Sequence, residues 1–285
     1  MGIKQLNPLL RQRCSPAAIH ATPLEKFRGR TLAVDAYIYL YKFQEHGEFR
    51  ENVELMLSAL LEHGISPIFV FDGKPPAEKR ELIEQRLKAK RSSELKYNDA
   101  LAKVAGKAKP AARDSLEKLR MSFLRVSREH ISVAKAAMAA RGVAAVDAPG
   151  EADGLCARMV ASGEAWACLS DDMDLLVYGC RRVIRDLDLA RGTAVVYDMK
   201  SILRDMNMTM RLFREVMVIS GTDYNVDSAT DLCTTMRWLA EYVSRDRVMY
   251  GDASFYDWLE AHTSYISDRR RLDGVYRMFD PAHNI

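Results

Sequence analysis

The chain has 285 residues, 48% of them hydrophobic and 28% charged, with a formal net charge of +3, long enough to bury a large core without disulfide staples. Its apolar runs are too short to cross a bilayer, and Met1-Gly2-Ile3-Lys4-Gln5-Leu6 carries neither a secretory apolar core nor a myristoylation pattern, so an intracellular protein with no membrane partner is expected. The five cysteines (Cys14, Cys156, Cys168, Cys180, Cys233) form no C-x-x-C pair and read as reduced thiols rather than a zinc site or a disulfide framework.

Thr31-Leu-Ala-Val-Asp35 is a short apolar run that ends in an acid and predicts a strand. Helices are expected over Ala36 to His46 and Val53 to His63, and a second strand over Ile68-Phe-Val-Phe-Asp72. Ala77 to about Ala105 and Ala112 to Arg141 predict two long helices, broken between them by Gly106 and Pro110. Strands follow at Val143 to Asp147, Trp166 to Ser170 and Ala194 to Asp198, with helices at Glu151 to Ser162 and Ser201 to Met206. Beyond Met208 the pattern is helical, through Leu212 to Ser220 and Leu232 to Tyr250. The alternation predicts an α/β fold: a mostly parallel sheet, its strands buried on both faces and covered by helices on both sides. One domain is expected across 1–285, with a helical insert at about 74–135 and a helical C-terminal part at about 208–285. Ligands of such sheets bind beyond the carboxyl ends of the strands, where Asp35 and Asp72 fall.

Charge is distributed unevenly. Lys74 to Lys135 holds 17 Lys and Arg against 8 Asp and Glu, an excess of nine positive charges in a chain whose remainder is net negative. A solvated mixed-charge helix pair would show the same count; a polyanion held at one place is the functional reading.

Acids cluster elsewhere. Glu151 and Asp153 follow Pro149-Gly150, Asp172 and Asp174 lie in Ser170-Asp-Asp-Met-Asp174, and Asp223 lies in Ser220-Gly-Thr-Asp-Tyr224. Singly, each has an ordinary explanation in a helix first turn or a strand-end turn. Together, several carboxylates at adjacent strand ends would repel one another and raise each other's pKa unless divalent cations neutralised them. An all-oxygen donor set suits Mg2+ or Mn2+, and two such ions about 4 Å apart are a common device for hydrolysing phosphodiesters. Seven carboxylates around two dications still leave three negative charges, so basic side chains are needed to admit a phosphate. Lys79 and Arg86, seven residues apart after Asp72, can present one helix face to the site.

These residues resemble the flap endonuclease family of structure-specific 5′-nucleases, which act in replication, repair and recombination. The match runs from Met1-Gly2-Ile3-Lys4-Gln5-Leu6 through Val34-Asp35-Ala36, Val70-Phe-Asp-Gly-Lys-Pro-Pro76, Asp147-Ala-Pro-Gly-Glu-Ala-Asp153 and Asp172-Met-Asp174 to Gly221-Thr-Asp-Tyr224, over roughly the first 225 residues. The resemblance implies a PIN-like 5′-nuclease fold, with Asp35, Asp72, Glu151, Asp153, Asp172, Asp174 and Asp223 holding two Mg2+ (Mn2+ substituting) and Lys79 and Arg86 at the scissile phosphate. It further implies that Tyr41 stacks on a terminal base and that the amino terminus at Gly2 lies beside the site. The 74–135 insert would form an arch threaded by the 5′ strand, with Lys103, Lys107, Lys109, Arg125 and Arg128 among the DNA contacts. The implied partner is branched or 5′-flap DNA, and the implied location is the nucleus or sites of viral or cellular DNA replication. A ribonuclease on the same acidic fold and a non-catalytic nucleic-acid-binding scaffold are the alternatives. Three departures stand out. Asp153 replaces the family's usual Glu. Asn225-Val-Asp-Ser-Ala-Thr-Asp231 lacks the Gly-x-Gly loop that grips duplex backbone through potassium. Tyr276 to Ile285 shows no Gln-led sliding-clamp motif. A compact, possibly viral, monomeric member is expected.

Overall fold

A computed structural model describes residues 3–103, 110–225, 230–245 and 254–280. In chain order its elements are α1 (Leu6–Arg13), β1 (Ile19–Pro23), β2 (Thr31–Asp35), α2 (Ala36–His46), α3 (Phe49–Glu62), β3 (Ser66–Phe71), α4 (Arg80–Lys103), α5 (Pro110–Ser122), α6 (Arg128–Ala140), β4 (Ala144–Asp147), α7 (Ala152–Ser162), β5 (Ala167–Leu169), α8 (Asp174–Val177), β6 (Arg182–Asp188), β7 (Thr193–Asp198), α9 (Met199–Asp205), α10 (Met210–Ile219), α11 (Leu232–Arg245), α12 (Phe255–His262) and α13 (Arg269–Met278). The seven strands form one sheet in the order β1-β7-β6-β5-β2-β3-β4. From β6 to β4 the strands are parallel, while β7 runs antiparallel to both β6 and β1.

Period-2 alternation along each strand divides the core into two layers. Ala33, Val70, Cys168 and Val183 face a layer built from α1 and from the helices after β4. Leu32, Val34, Phe69, Phe71, Leu169 and Ile184 face the other, built from α2, α3 and α6. The sheet is covered on both faces, as the strand-helix alternation requires.

Several elements depart from the sequence-based expectation. β4 was read as buried on both faces, but it is an exposed edge strand with Val146 39% accessible. β1 and β6 escaped the pattern: β1 is a half-exposed edge ending at Pro23, and β6 mixes charges into its run. The helix expected from Ala112 to Arg141 is two helices. Ser127 caps the second, its Oγ accepting from the His130 amide at 3.2 Å while His130 Nδ1 accepts from the Ser127 amide at 3.0 Å. Ala134, Ala137 and Met138 are then buried in the sheet-facing core, so α6 belongs to that layer and the insert proper is α4 and α5. Tyr97 on α4 packs against Phe123 just after α5, with ring centroids 5.4 Å apart.

One glycine joins two strand ends. The Gly73 amide donates to the Gly150 carbonyl at 2.7 Å, and a Cβ there would stand 1.9 Å from the Ala148 carbonyl oxygen. Both neighbours are backbone, so no rotamer change relieves the clash. Gly73→Ala should therefore destabilise the fold by about 3 kcal/mol, read from urea unfolding; an unchanged midpoint would contradict the packing.

Candidate active site

The chain leaves β4, crosses the sheet through α7 and returns as β5 on the far side of β2. Strand order thus reverses between β2 and β5, and the crevice at this switch point opens at the carboxyl ends of the strands. Asp35 is the last residue of β2 and Asp72 follows β3. Glu151 is the N-cap of α7 with Asp153 in its first turn, and Asp172 and Asp174 flank the start of α8. Asp223 follows α10, and its charge reaches both Asp174 and Lys79.

The crevice is crowded with acids. Asp35, Asp172 and Asp174 are all buried. Burial, then the charges of Asp72 and Asp172, push the Asp35 carboxyl up to about 7, against a stabilising hydrogen bond from Ser170. Burial likewise pushes Asp153 and Asp174 well above the usual carboxylate range, with Asp172 next in each case, and it raises Asp72. Hydrogen bonds hold the ring in place. Ser170 Oγ donates to Asp35 at 2.9 Å and accepts from the Asp172 amide at 3.1 Å. The Asp174 amide donates to Asp172 Oδ1 at 3.0 Å, and the Ala152 amide to Asp72 Oδ1 at 2.7 Å. Asp153 Oδ1 and Asp174 Oδ1 are buried without a hydrogen-bond partner.

Two cations enter from the start of the α4–α5 insert. Lys79 closes a 3-10 turn ahead of α4 and is itself buried, its Nζ 2.7 Å from Glu151 Oε1. Burial works against its charge, but Glu151 prevails and its pKa is raised. Arg86, two turns on, pairs with Asp223 at 2.8 Å. Both basic residues singled out by spacing therefore face the acids, each in contact with one.

Three supporting residues were not legible in the sequence. Tyr224 donates its hydroxyl to Glu151 Oε2 and lies under Lys79, whose Nζ is 4.4 Å from the ring centroid. Ser170 ties Asp35 to Asp172. Asn225 closes the turn that carries Asp223, accepting from the Thr222 amide at 2.7 Å and donating to the Val218 carbonyl at 2.8 Å. Adjacency to the Asp-rich motifs is the one signal that marks them. Asp171, inside such a motif, has a different task. It pairs with Lys42 on α2 and accepts from the Asp186 amide at 2.8 Å, contacts that hold it below the usual range although burial opposes them.

Of the other residues singled out, the described ones make contacts of their own. Tyr41 is half-buried on α2, with Lys90 Nζ 5.0 Å from its ring centroid. Lys90 also donates to the Leu124 carbonyl at 2.8 Å, fastening α4 to the turn after α5. Arg125 pairs with Glu94 at 3.4 Å, and Arg128 is exposed at the start of α6. Gly2, Lys107, Lys109 and the Lys103 side chain lie outside the described residues. Asp231, in the segment without a Gly-x-Gly loop, caps α11 by accepting from the Thr234 amide at 2.9 Å.

Two family models match the chain: the XPG N-terminal domain over residues 1–94 and the XPG I-region over 142–223. Flap endonuclease 1-B of Oryza sativa subsp. indica is 33% identical across 79% of this chain and 57% of its own length. Flap endonuclease 1 of Chlamydomonas reinhardtii is 34% identical, with shares of 79% and 59%. The chain belongs to the flap endonuclease family. It spans less than two thirds of the length of these curated relatives. Its fold is shared with solved structures. The catalytic core of Rad2 in complex with DNA substrate superposes with a TM-score of 0.68 at 18% identity, covering 98% of this chain and 86% of that one. Flap endonuclease-1 from Methanococcus jannaschii gives 0.63 at 23%, covering 92% and 82%.

Among the described residues no three acidic, histidine or cysteine side chains already stand close enough to hold a metal ion. Glu151 and Asp223 are engaged by the protein's own cations, while the unpartnered oxygens of Asp153 and Asp174 are left for a hard cation. The donor chemistry of this family member fits such an ion.

Acids whose folded pKa is raised take up protons on folding, so they weaken the fold as pH climbs from the unfolded value near 4 through the folded one. With chelator present, the thermal midpoint should fall between pH 5 and pH 8, and millimolar Mg2+ should restore it at pH 8. A midpoint that rises with pH over this interval would contradict the site's electrostatics.

Proposed function

We propose that this protein is a divalent-cation-dependent, structure-specific 5′-nuclease that cuts branched and 5′-flap DNA endonucleolytically and trims 5′ ends as an exonuclease. The observation that carries this reading is the buried acidic crevice at the switch point, with Lys79 and Arg86 at its mouth on the base of a basic arch. The names of the relatives and the DNA substrate in the Rad2 complex support DNA as the polymer.

Two Mg2+ or Mn2+ ions held by Asp35, Asp72, Glu151, Asp153, Asp172, Asp174 and Asp223 would offset the acids' repulsion, activate water and stabilise the leaving oxygen. Asp153, one methylene shorter than the family's usual Glu, reaches less far. The remaining tasks fall to the chain itself. Lys79 brings a desolvated ammonium to the phosphate, where its field is strongest in the transition state. Arg86 offers a planar fork suited to phosphate oxygens. Ser170 and the amides at 152 and 174 keep the carboxylates aimed inward. The arch, rich in Lys and Arg, attracts the 5′ strand. The same proposal takes 1–285 as one nuclease domain acting as a monomer at nuclear or viral replication sites.

Asp172→Asn should lower cleavage of a labelled 5′-flap DNA by about 100-fold or more, while leaving affinity in chelator within about threefold, since phosphate contacts to Lys and Arg dominate binding. Lys79→Ala and Arg86→Ala should each reduce the single-turnover rate by about 100-fold with much smaller losses of affinity. Near-normal turnover by Asp172→Asn would sink the reading. Faster cleavage of single-stranded RNA than of the flap would move it to a ribonuclease.

A further inference from the structure

Both oxygens of Glu151 are held by side chains. Oε1 accepts from Lys79 Nζ at 2.7 Å, and Oε2 accepts from the Tyr224 hydroxyl. Tyr224 touches the other half of the ion pair as well, with the Lys79 ammonium over its ring at 4.4 Å from the centroid. The tyrosine is itself fixed on several sides. Its amide donates to Thr222 Oγ1 at 3.2 Å, its hydroxyl meets that of Tyr178 at 3.1 Å, and its ring stands edge-on to Phe279 at 5.3 Å. It is 4% exposed.

A buried ion pair poses a problem for a site whose members must change partners. If Glu151 alone held Lys79, turning the carboxylate toward a divalent cation would strand a desolvated ammonium, and turning Lys79 toward a phosphate would strand a carboxylate. A rigid post that binds each charge separately removes that difficulty. The ring face attracts a desolvated ammonium by its quadrupole. The hydroxyl makes a charge-assisted hydrogen bond to Oε2 and leaves Oε1 free to exchange. Resting on the nuclease reading above, we infer that Tyr224 is a positioning residue: it holds Glu151 through Oε2 and Lys79 through its ring, so that both stay aimed at the crevice when their mutual ion pair opens for substrate. Tyr178 and Phe279 hold Tyr224 against the pull of either charge.

The two contacts separate by substitution. Tyr224→Phe keeps the ring and its packing but removes the hydroxyl. On the DNA-free protein, isothermal calorimetry should show Mn2+ binding weakened about tenfold, with flap affinity in chelator unchanged. Single-turnover cleavage at saturating Mn2+ should fall by a similar factor. Tyr224→Leu, which also removes the ring, should slow cleavage a further tenfold or so. That extra loss should vanish in a Lys79→Met background, where no ammonium remains for the ring to hold; a merely structural tyrosine would produce it in both backgrounds.

Wild-type Mn2+ affinity in Tyr224→Phe would overturn the inference, as would an equal ring effect with and without Lys79. Tyr224→Phe keeps the test decisive if Tyr224→Leu fails to fold. The outcomes also separate the inference from the reading beneath it. A wild type that cleaves flaps while Tyr224→Phe matches it in every readout sinks the inference alone. A wild type that cuts no nucleic acid, with Mn2+ binding still weakened in Tyr224→Phe, sinks the nuclease reading and leaves Tyr224's hold on Glu151 standing.

Discussion

Carboxylates buried side by side are costly to keep ionised, and the fold is arranged around that cost. Burial raises the carboxyls of Asp35, Asp153 and Asp174, and the charge of Asp172 beside each of them raises them further. Left alone, such a cluster protonates or pushes apart. The fold opposes both outcomes by planting the acids on the most rigid parts of the chain, the ends of central parallel strands and the first turns of the helices that follow. The close backbone approach at Gly73 locks the β3 end to the β4–α7 connection, so Asp72 and Glu151 cannot separate without breaking backbone hydrogen bonds.

The second half of the solution is cationic. Lys79 and Arg86 come from the start of the insert, the segment that carries the excess positive charge, and each reaches one acid at the rim. Through these two ion pairs the insert is attached to the crevice, and Lys90 adds a third attachment through Tyr41 on α2 while joining α4 to the turn after α5. The positively charged segment and the charge balance of the crevice thus share one element, beside acids whose unpartnered oxygens suit hard divalent ions.

Much of this was legible in the sequence because its signals are local. β2 and β3 announce themselves as unbroken apolar runs ending in an acid, and the spacing of Lys79 and Arg86 places them on one side of the insert. The edge strands were not legible, since β1 ends in a proline and β6 interleaves arginines and aspartates with its apolar residues, patterns that composition alone reads as loop. The break between α5 and α6 carries neither Gly nor Pro; a serine cap and the burial of Ala134, Ala137 and Met138 decide it, and burial is a tertiary fact. Tyr224, Ser170 and Asn225 escaped for the same reason. Their hydrogen-bonding capacity is visible in the sequence, but the partners that give it meaning, Glu151, Asp35 and the Val218 carbonyl, are brought near only by the fold. Asp171 and Asp231 show the converse: two acids beside the motifs are occupied with Lys42 and with the cap of α11.

The proposed nuclease requires this acidic crevice to be a divalent-cation site. Anomalous diffraction from crystals soaked in Mn2+ tests it most directly, because the signal locates the ion independently of any activity. Strong anomalous peaks should appear among Asp35, Asp72, Asp153, Asp172 and Asp174, with Glu151 or Asp223 drawn away from Lys79 or Arg86. Soaked crystals that place Mn2+ elsewhere and leave the crevice without a peak, its ion pairs intact, would contradict the account.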